Sequence, residues 1–241
     1  MLVVSGGDVG AAPRSHASPN GSDPLSAAAE RPTHAPCQAA SGVDPWPIRR
    51  RAVLHDRGSQ STGVRRDLLS PALLNHSCRA FVWGSAIAAQ QGIQFDRELL
   101  YVASMFHDTG LPSPVPHVDF TVRSAELARE FTARHGVPAD GGELVANAIA
   151  LHHTPGVGLE LGAEAFLLSA GAGVDVFGLR SDKVTDAVRR NVIREFPRLG
   201  FKREFSGLWR AEARQVPRGR AWLLHRFAMT DLSIRLAPFR D

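Results

Sequence analysis

The chain is short of the residues from which several kinds of site are built. Of its 241 residues only two are cysteine, Cys37 and Cys78, so neither a disulfide framework nor a cysteine-ligated zinc knuckle is expected to organise it. Lysine occurs only at Lys183 and Lys202, every other basic residue being arginine, and tyrosine occurs once. Beside so much alanine and glycine, that bias reads as coding composition rather than selection for a ligand. No run of eighteen uncharged apolar residues is present, so no membrane span is expected. The N-terminus has neither a basic n-region nor a sustained apolar h-region, which argues against a secretory signal. Asp8, Asp23, Glu30 and Asp44 argue against an organellar transit peptide, and the cytoplasm is the expected compartment.

A calculated pI of 9.8 invites a nucleic-acid reading. Residues 1–66, however, carry a net charge of +3 and residues 67–241 only +1. The basic character belongs mainly to the tail, and the rest offers no basic stripe with interleaved aromatics. A small-molecule substrate is therefore the expected partner, with no nucleic acid and no membrane; self-association is left open.

Residues 1–45 are rich in Ala, Gly, Ser and Pro without apolar period, so a disordered tail is expected over about 1–60. From Asp67 the pattern turns helical. Leu74, Cys78, Phe81, Val82, Ser85, Ala86 and Ala89 trace one face of a first helix, with Pro71 in its first turn and Gly92 as its stop. A second helix from an Asp96 N-cap to Asp108 is apolar nearly all round, as a central buried helix would be. Thr109-Gly110-Leu111-Pro112-Ser113-Pro114 forces a turn after it. Further helices are expected near 123–135, from a capping box at Asp140-Gly141-Gly142-Glu143 through His152, and near 163–176, 182–195 and 219–236. Nothing alternates at period two. The reading is an all-α bundle of about six to eight helices over residues 67–241.

Four polar elements interrupt this apolar pattern: Asn75-His76-Ser77-Cys78-Arg79, His107-Asp108, Leu151-His152-His153-Thr154 and Gly171-Ala172-Gly173-Val174-Asp175. Burying such groups without partners would be costly. Imidazoles and carboxylates spread over separate helices are what a divalent metal needs for a water-activating site. Adjacent His107 and Asp108 diverge by about 100° on an ideal helix, so both can reach one ion only at a helix end. Thr109-Gly110 supplies that end. Its offsets from Ala148 and Ile149 put His152 on the buried face and turn His153 away. Cys78, some 200° from His76 around the helix, reads as a small hydrophobe rather than a ligand.

The series resembles the HD-domain superfamily of metal-dependent hydrolases, whose signature is a His, a later His-Asp pair and a distant Asp. Leu74-Asn75-His76-Ser77-Cys78-Arg79-Ala80-Phe81, Glu98-Leu99-Leu100-Tyr101-Val102-Ala103, Ile149-Ala150-Leu151-His152 and Pro197-Arg198-Leu199-Gly200-Phe201-Lys202 are similar to its cyanamide hydratase-like branch. The resemblance implies one divalent ion, zinc first and otherwise iron, manganese or nickel, held by His76, His107, Asp108 and Asp175. Asp108 would take a proton from the attacking water and His152 would return one to the product, or contact substrate. Arg79 would hold Asp175 or a substrate anion, or form a plain salt bridge. The reaction would be hydration of a small nitrile or cyanamide-like substrate, with nucleotide or other phosphoester hydrolysis as the alternative and an inactive ligand-sensing module as a second one. Phe81, Trp83, Met105, Phe106 and Phe166 are the expected apolar surroundings. Where the branch is expected to place acidic residues after the Pro-rich loop, this chain has Phe120-Thr121-Val122-Arg123-Ser124.

Overall fold

The computed structural model describes residues 68–227 and 230–241, and they are mostly helical, with no strand among them. The expected tail over 1–60 lies outside the described residues, as do Cys37, His16, His34 and His55. In chain order the helices are α1 (Pro71–Gln91), α2 (Arg97–Phe106), α3 (Phe120–Arg134), α4 (Ala139–Leu151), α5 (Ala163–Phe177), α6 (Asp186–Glu195), α7 (Phe201–Gln215), α8 (Arg220–Phe227) and α9 (Thr230–Leu236), with single 3-10 turns at Leu159–Leu161 and Ser181–Lys183. No described helix is long and apolar enough to cross a membrane.

The ends of the first two helices follow from their caps. The Ser70 side chain accepts from the Leu73 N–H, Pro71 fills the first turn where no N–H is needed, and Gly92 closes α1 at a φ of 68°. Asp96 caps α2 by accepting from Glu98 and Leu99, while its own N–H donates to Glu164 of α5 at 2.7 Å. The capping box expected at Asp140 is not formed: α4 begins at Ala139 after Pro138, and Glu143 bonds Arg129 instead. The C-terminal helix expected near 219–236 is helical over Arg220–Phe227 and Thr230–Leu236, on either side of residues that lie outside the described ones.

Helix α1 is buried nearly all round, and its deepest stripe differs from the expected face. Leu73, His76, Ala80, Trp83 and Ile87 are at or near zero exposure, whereas Leu74, Val82, Ser85 and Ala86 are only half-buried. The stripe includes a histidine, which hydropathy excludes. Cys78 is buried, and the chain's other cysteine lies outside the described residues. Helix α2 is as expected, with Leu100 through Phe106 all buried.

Helices α1 and α5 meet backbone to backbone at two glycines. A Cβ on Gly84 would stand 2.7 Å from the Leu167 carbonyl oxygen, and one on Gly171 would collide with the Ala80 carbonyl oxygen. This approach sets His76 of α1 opposite Asp175 of α5, one helical turn beyond Gly171. Helix α7 closes the other side. Phe201, Phe205 and Trp209 recur every fourth residue, all at zero exposure, and stack in sequence with centroids 5.1 and 5.5 Å apart.

Gly171→Ala therefore forces α1 and α5 apart. It is expected to cost about 1–3 kcal/mol by overpacking, read as a lower urea midpoint at unchanged m-value. An unchanged midpoint would show that the backbones separate freely.

Candidate metal centre

Two polar zones lie side by side, joined by the ring of His76. The first is built on Asp175, fully buried in α5. Arg79 grips it with two parallel bonds, Nε to Oδ1 at 2.7 Å and Nη2 to Oδ2 at 2.9 Å. Trp83 Nε1 and Arg198 Nη1 also donate to Oδ1, at 3.2 and 3.1 Å, and His76 Nδ1 donates to Oδ2 at 2.8 Å. His76, Arg79 and Trp83 reach one carboxylate because they recur along a single face of α1. Arg198 arrives from the turn between α6 and α7, where Leu199 and Gly200 take left-handed φ values of 53° and 78°. It is itself held by Asp241 at 3.2 Å.

The second zone is on the opposite edge of His76. His76 Nε2 lies 3.1 Å from His107 Nε2, and Asp108 Oδ2 lies 3.4 and 3.3 Å from those two nitrogens. His152 Nε2 is 3.6 Å from Asp108 Oδ1. All four residues are buried. The rings are fixed from behind, His107 Nδ1 by the Ser104 carbonyl oxygen at 2.7 Å and His152 Nδ1 by that of Ile149 at 2.6 Å. A carbonyl oxygen only accepts, so in both rings Nδ1 carries the hydrogen, and Nε2 of the neutral ring is a bare lone pair. The Asp175 carboxylate imposes the same tautomer on His76. Three lone pairs and an acceptor-only carboxylate are thus turned on one another. Both oxygens of Asp108 and Nε2 of His152 are buried with no hydrogen-bond partner.

Such a set is stable only around positive charge, and its spacing fits a metal cation. Bonds of about 2.0–2.1 Å in a tetrahedral arrangement put neighbouring ligand atoms about 3.3–3.4 Å apart. The three separations among His76, His107 and Asp108 match that edge. Ligand atoms of Asp108, His152 and His153 also converge, with Asp108 common to both triads.

The expectation that Asp175 is a fourth ligand differs from this geometry. Its carboxylate faces Nδ1 of His76, not the converging Nε2 side, and both its oxygens are saturated by Arg79, Trp83, Arg198 and His76. Arg79 holds Asp175, as one of the expected alternatives had it. His153, expected to turn away, sits against the site, its ring 4.1 Å from that of His152 and 4.8 Å from that of Trp209. Helix α4 ends at Leu151, so the helical rotation that would separate the two histidines no longer applies.

Burial opposes charge throughout, and the partners decide the outcome. Burial pushes the Asp108 carboxyl up, but the imidazoles of His107, His152 and His76 around it hold it well below the usual carboxylate range. Against the same burial, Arg79, His76 and Arg198 hold Asp175 well below it too. Burial opposes protonation of His76, but Asp108 and Asp175 raise it. His152 is lowered by burial, and His153 well lowered.

The aromatic surroundings come from elsewhere than expected. Phe81 packs on Tyr101, Phe106 on Phe131, and Phe166 beneath Arg180. Phe201 stacks on His76 at 4.7 Å, and Phe120 stands edge-on to His152 at 5.8 Å. Three of the residues missed by sequence reasoning, Phe201, Phe205 and Trp209, sit on α7, and their four-residue spacing was the available signal. Arg198 was visible only as part of a motif. Thr121 and Arg123, standing where acids were expected, are turned to structure: Thr121 bonds Asp119, and Arg123 pairs with buried Glu212 at 2.7 Å. A cavity of about 250 Å³ reaches the site at His152 and His153, bordered also by Phe177, Arg180 and Leu224.

Residues 73–185 match the family model described as the HD domain, and the matched span contains His76, His107, Asp108, His152 and Asp175. No curated protein matches the chain. The HD domain is in general that of metal-dependent hydrolases, and the buried His/Asp group here could hold a metal ion in the same way.

The depressed Asp175 pKa has a consequence for acid stability. A carboxyl whose folded pKa lies below its unfolded value of about 3.9 adds stability that is complete above that value and lost as pH falls towards the folded one. In chelator, the urea midpoint is expected to hold at neutral pH and to decline below about pH 4. Asp175→Asn should cost about 3–5 kcal/mol at neutral pH, because it leaves the buried Arg79 guanidinium uncompensated and Arg198 with Asp241 alone, and should show a shallower acid decline. An equally steep decline in the variant would place the acid-sensitive group elsewhere.

Proposed function

We propose that this HD domain belongs to a metal-dependent hydrolase or hydratase in which His76, His107 and Asp108 hold one divalent ion, zinc before iron, manganese or nickel. One observation carries the reading: two imidazole lone pairs and an unpartnered carboxylate, those of His76, His107 and Asp108, converge in a fully buried space at the edge lengths of a tetrahedral cation site. Asp175 then acts as a positioning residue, fixing the tautomer of His76 and aiming its Nε2.

A bound ion would supply Lewis acidity, lowering the pKa of a water beside it. Asp108 Oδ1 is free to accept that water's proton, and His152 Nε2, 3.6 Å away, is placed to relay it. Burial keeps His152 neutral, so its Nε2 is available as an acceptor until the proton arrives. In hydration of a nitrile or cyanamide, water oxygen adds to the carbon and the relayed proton goes to the nitrogen, giving an imidic acid or isourea whose hydroxyl proton then shifts to nitrogen to leave the amide or urea. Phe120 stands edge-on to His152 and Trp209 to His153, an apolar backing to these two rings.

The choice of carbon over phosphorus rests on where the positive groups are engaged. Phosphoryl transfer needs several cations around the phosphate oxygens. Arg79 and Arg198 are bound to Asp175, Arg123 to Glu212 and Arg129 to Glu143. Among the described residues the cavity at His152 has Arg180 as its one guanidinium, with otherwise neutral or apolar walls. This favours a small, weakly charged substrate over a phosphoester.

Elemental mass spectrometry of the purified chain should find about one divalent ion, lost in His107→Ala and Asp108→Ala. Asp175→Asn should keep the ion with affinity lowered about 10–100-fold, whereas a true ligand would lose it. His152→Ala should keep the ion and lose about 10²–10⁴ in turnover. The loaded protein is then assayed on cyanamide, small nitriles and a nucleotide panel. Nucleotide hydrolysis would replace the hydratase reading, two ions per chain would bring in the second triad, and absence of bound metal would leave a binding module.

A further inference from the structure

A groove between α6 and the C-terminal segment has a charge bias that the metal centre does not use. It is a cavity of about 560 Å³, open to solvent, bordered by Arg189, Arg190, Arg194 and Arg240. Its apolar floor includes Ile193 and Phe239, the latter 6% exposed. Among the described residues Asp186 is the one acidic lining residue, and it is paired with Arg189. Arg194 bonds only a neutral amide, Asn191 Oδ1 at 3.1 Å, and among the described residues neither Arg190 nor Arg240 has an ion-pair partner. Arg190 and Arg194 stand one helical turn apart on the same face, where like charges destabilise a helix. An uncompensated row of guanidinium forks over an apolar floor is the arrangement that takes a planar group carrying phosphates.

We infer that this groove is a second binding site, for a small phosphorylated ligand with a flat apolar portion, of the class of a nucleoside diphosphate. The phosphates engage the Arg190, Arg194 and Arg240 forks, and the flat portion lies on Ile193 and Phe239. The volume falls in the range of small-molecule sites and is concave, which a flat acidic protein surface would not fill. The site shares no lining residue with the cavity at His152. It nevertheless touches the Asp175 zone, because Phe239 stacks on Trp83 at 5.9 Å and lies under Arg198 at 5.4 Å, and both of those residues bond Asp175.

The test is calorimetric titration of the full chain with adenosine diphosphate, and with inorganic pyrophosphate as the probe that lacks an apolar portion. Saturable binding is expected, tighter for the diphosphate nucleoside than for pyrophosphate. The double variant Arg190→Glu/Arg194→Glu should weaken it at least about tenfold. Both side chains are exposed, and circular dichroism checks that the variant folds. His107→Ala, or Asp108→Asn should that variant misfold, should bind the nucleotide as the unaltered chain does. Binding lost in the metal-centre variants and kept in the arginine variant would put the anion at the imidazoles and overturn the inference. Absence of saturable binding, or tighter capture of a single-stranded oligonucleotide with steep salt dependence, would overturn it as well.

Discussion

The buried carboxylate of Asp175 is the point on which the fold and the site both depend. It sits in α5 without solvent, so its charge has to be met by protein, and five donors from two segments meet it. Two come from Arg79 and one each from Trp83 and His76, all on α1, and Arg198 comes from the turn that launches α7. Removing one partner from such a cluster leaves an uncompensated charge, a loss of several kcal/mol, whereas the assembled cluster is close to neutral against its own desolvation. The cluster therefore specifies an arrangement more than it adds net stability. It fixes the rotation of α1, the angle at which the α6–α7 turn returns, and the ring of His76.

The contrast between the two zones separates scaffold from chemistry. On the Nδ1 side of His76 every carboxylate oxygen has a donor. On the Nε2 side, lone pairs face lone pairs and Asp108 has none. Native interiors rarely leave buried polar atoms unmet, and when they do the exception calls for a ligand, an ion or a catalytic role. Here the unmet atoms include both oxygens of Asp108 and Nε2 of His152, which face one another within the matched HD span.

Much of this was legible in the sequence, and the failures have specific causes. The start and stop of α1, the cap of α2 and the break after Asp108 were legible because Ser, Asp, Pro and Gly act through local backbone chemistry. His76, His107, Asp108 and His152 could be grouped because polar residues inside apolar helices are conspicuous. The side of His76 on which Asp175 stands could not be read, since it depends on Arg198, a residue of the α6–α7 turn. Helix α7 escaped because charged residues between Phe201, Phe205 and Trp209 mask their period. His153 was misplaced by extending helical geometry one residue past the point where the helix stops.

The glycine seam between α1 and α5 also has a temporal side. His76 and Asp175 are 99 residues apart in the chain, so the histidine leaves the ribosome long before its carboxylate. At elongation rates of about 5–20 residues per second the gap is roughly 5–20 s. Local helices form in microseconds and must wait. During that interval α1 presents Leu73, Trp83 and Ile87 with nothing to cover them, which makes the nascent N-terminal half a natural client for a chaperone and leaves the metal ligands to assemble only once α5 has docked.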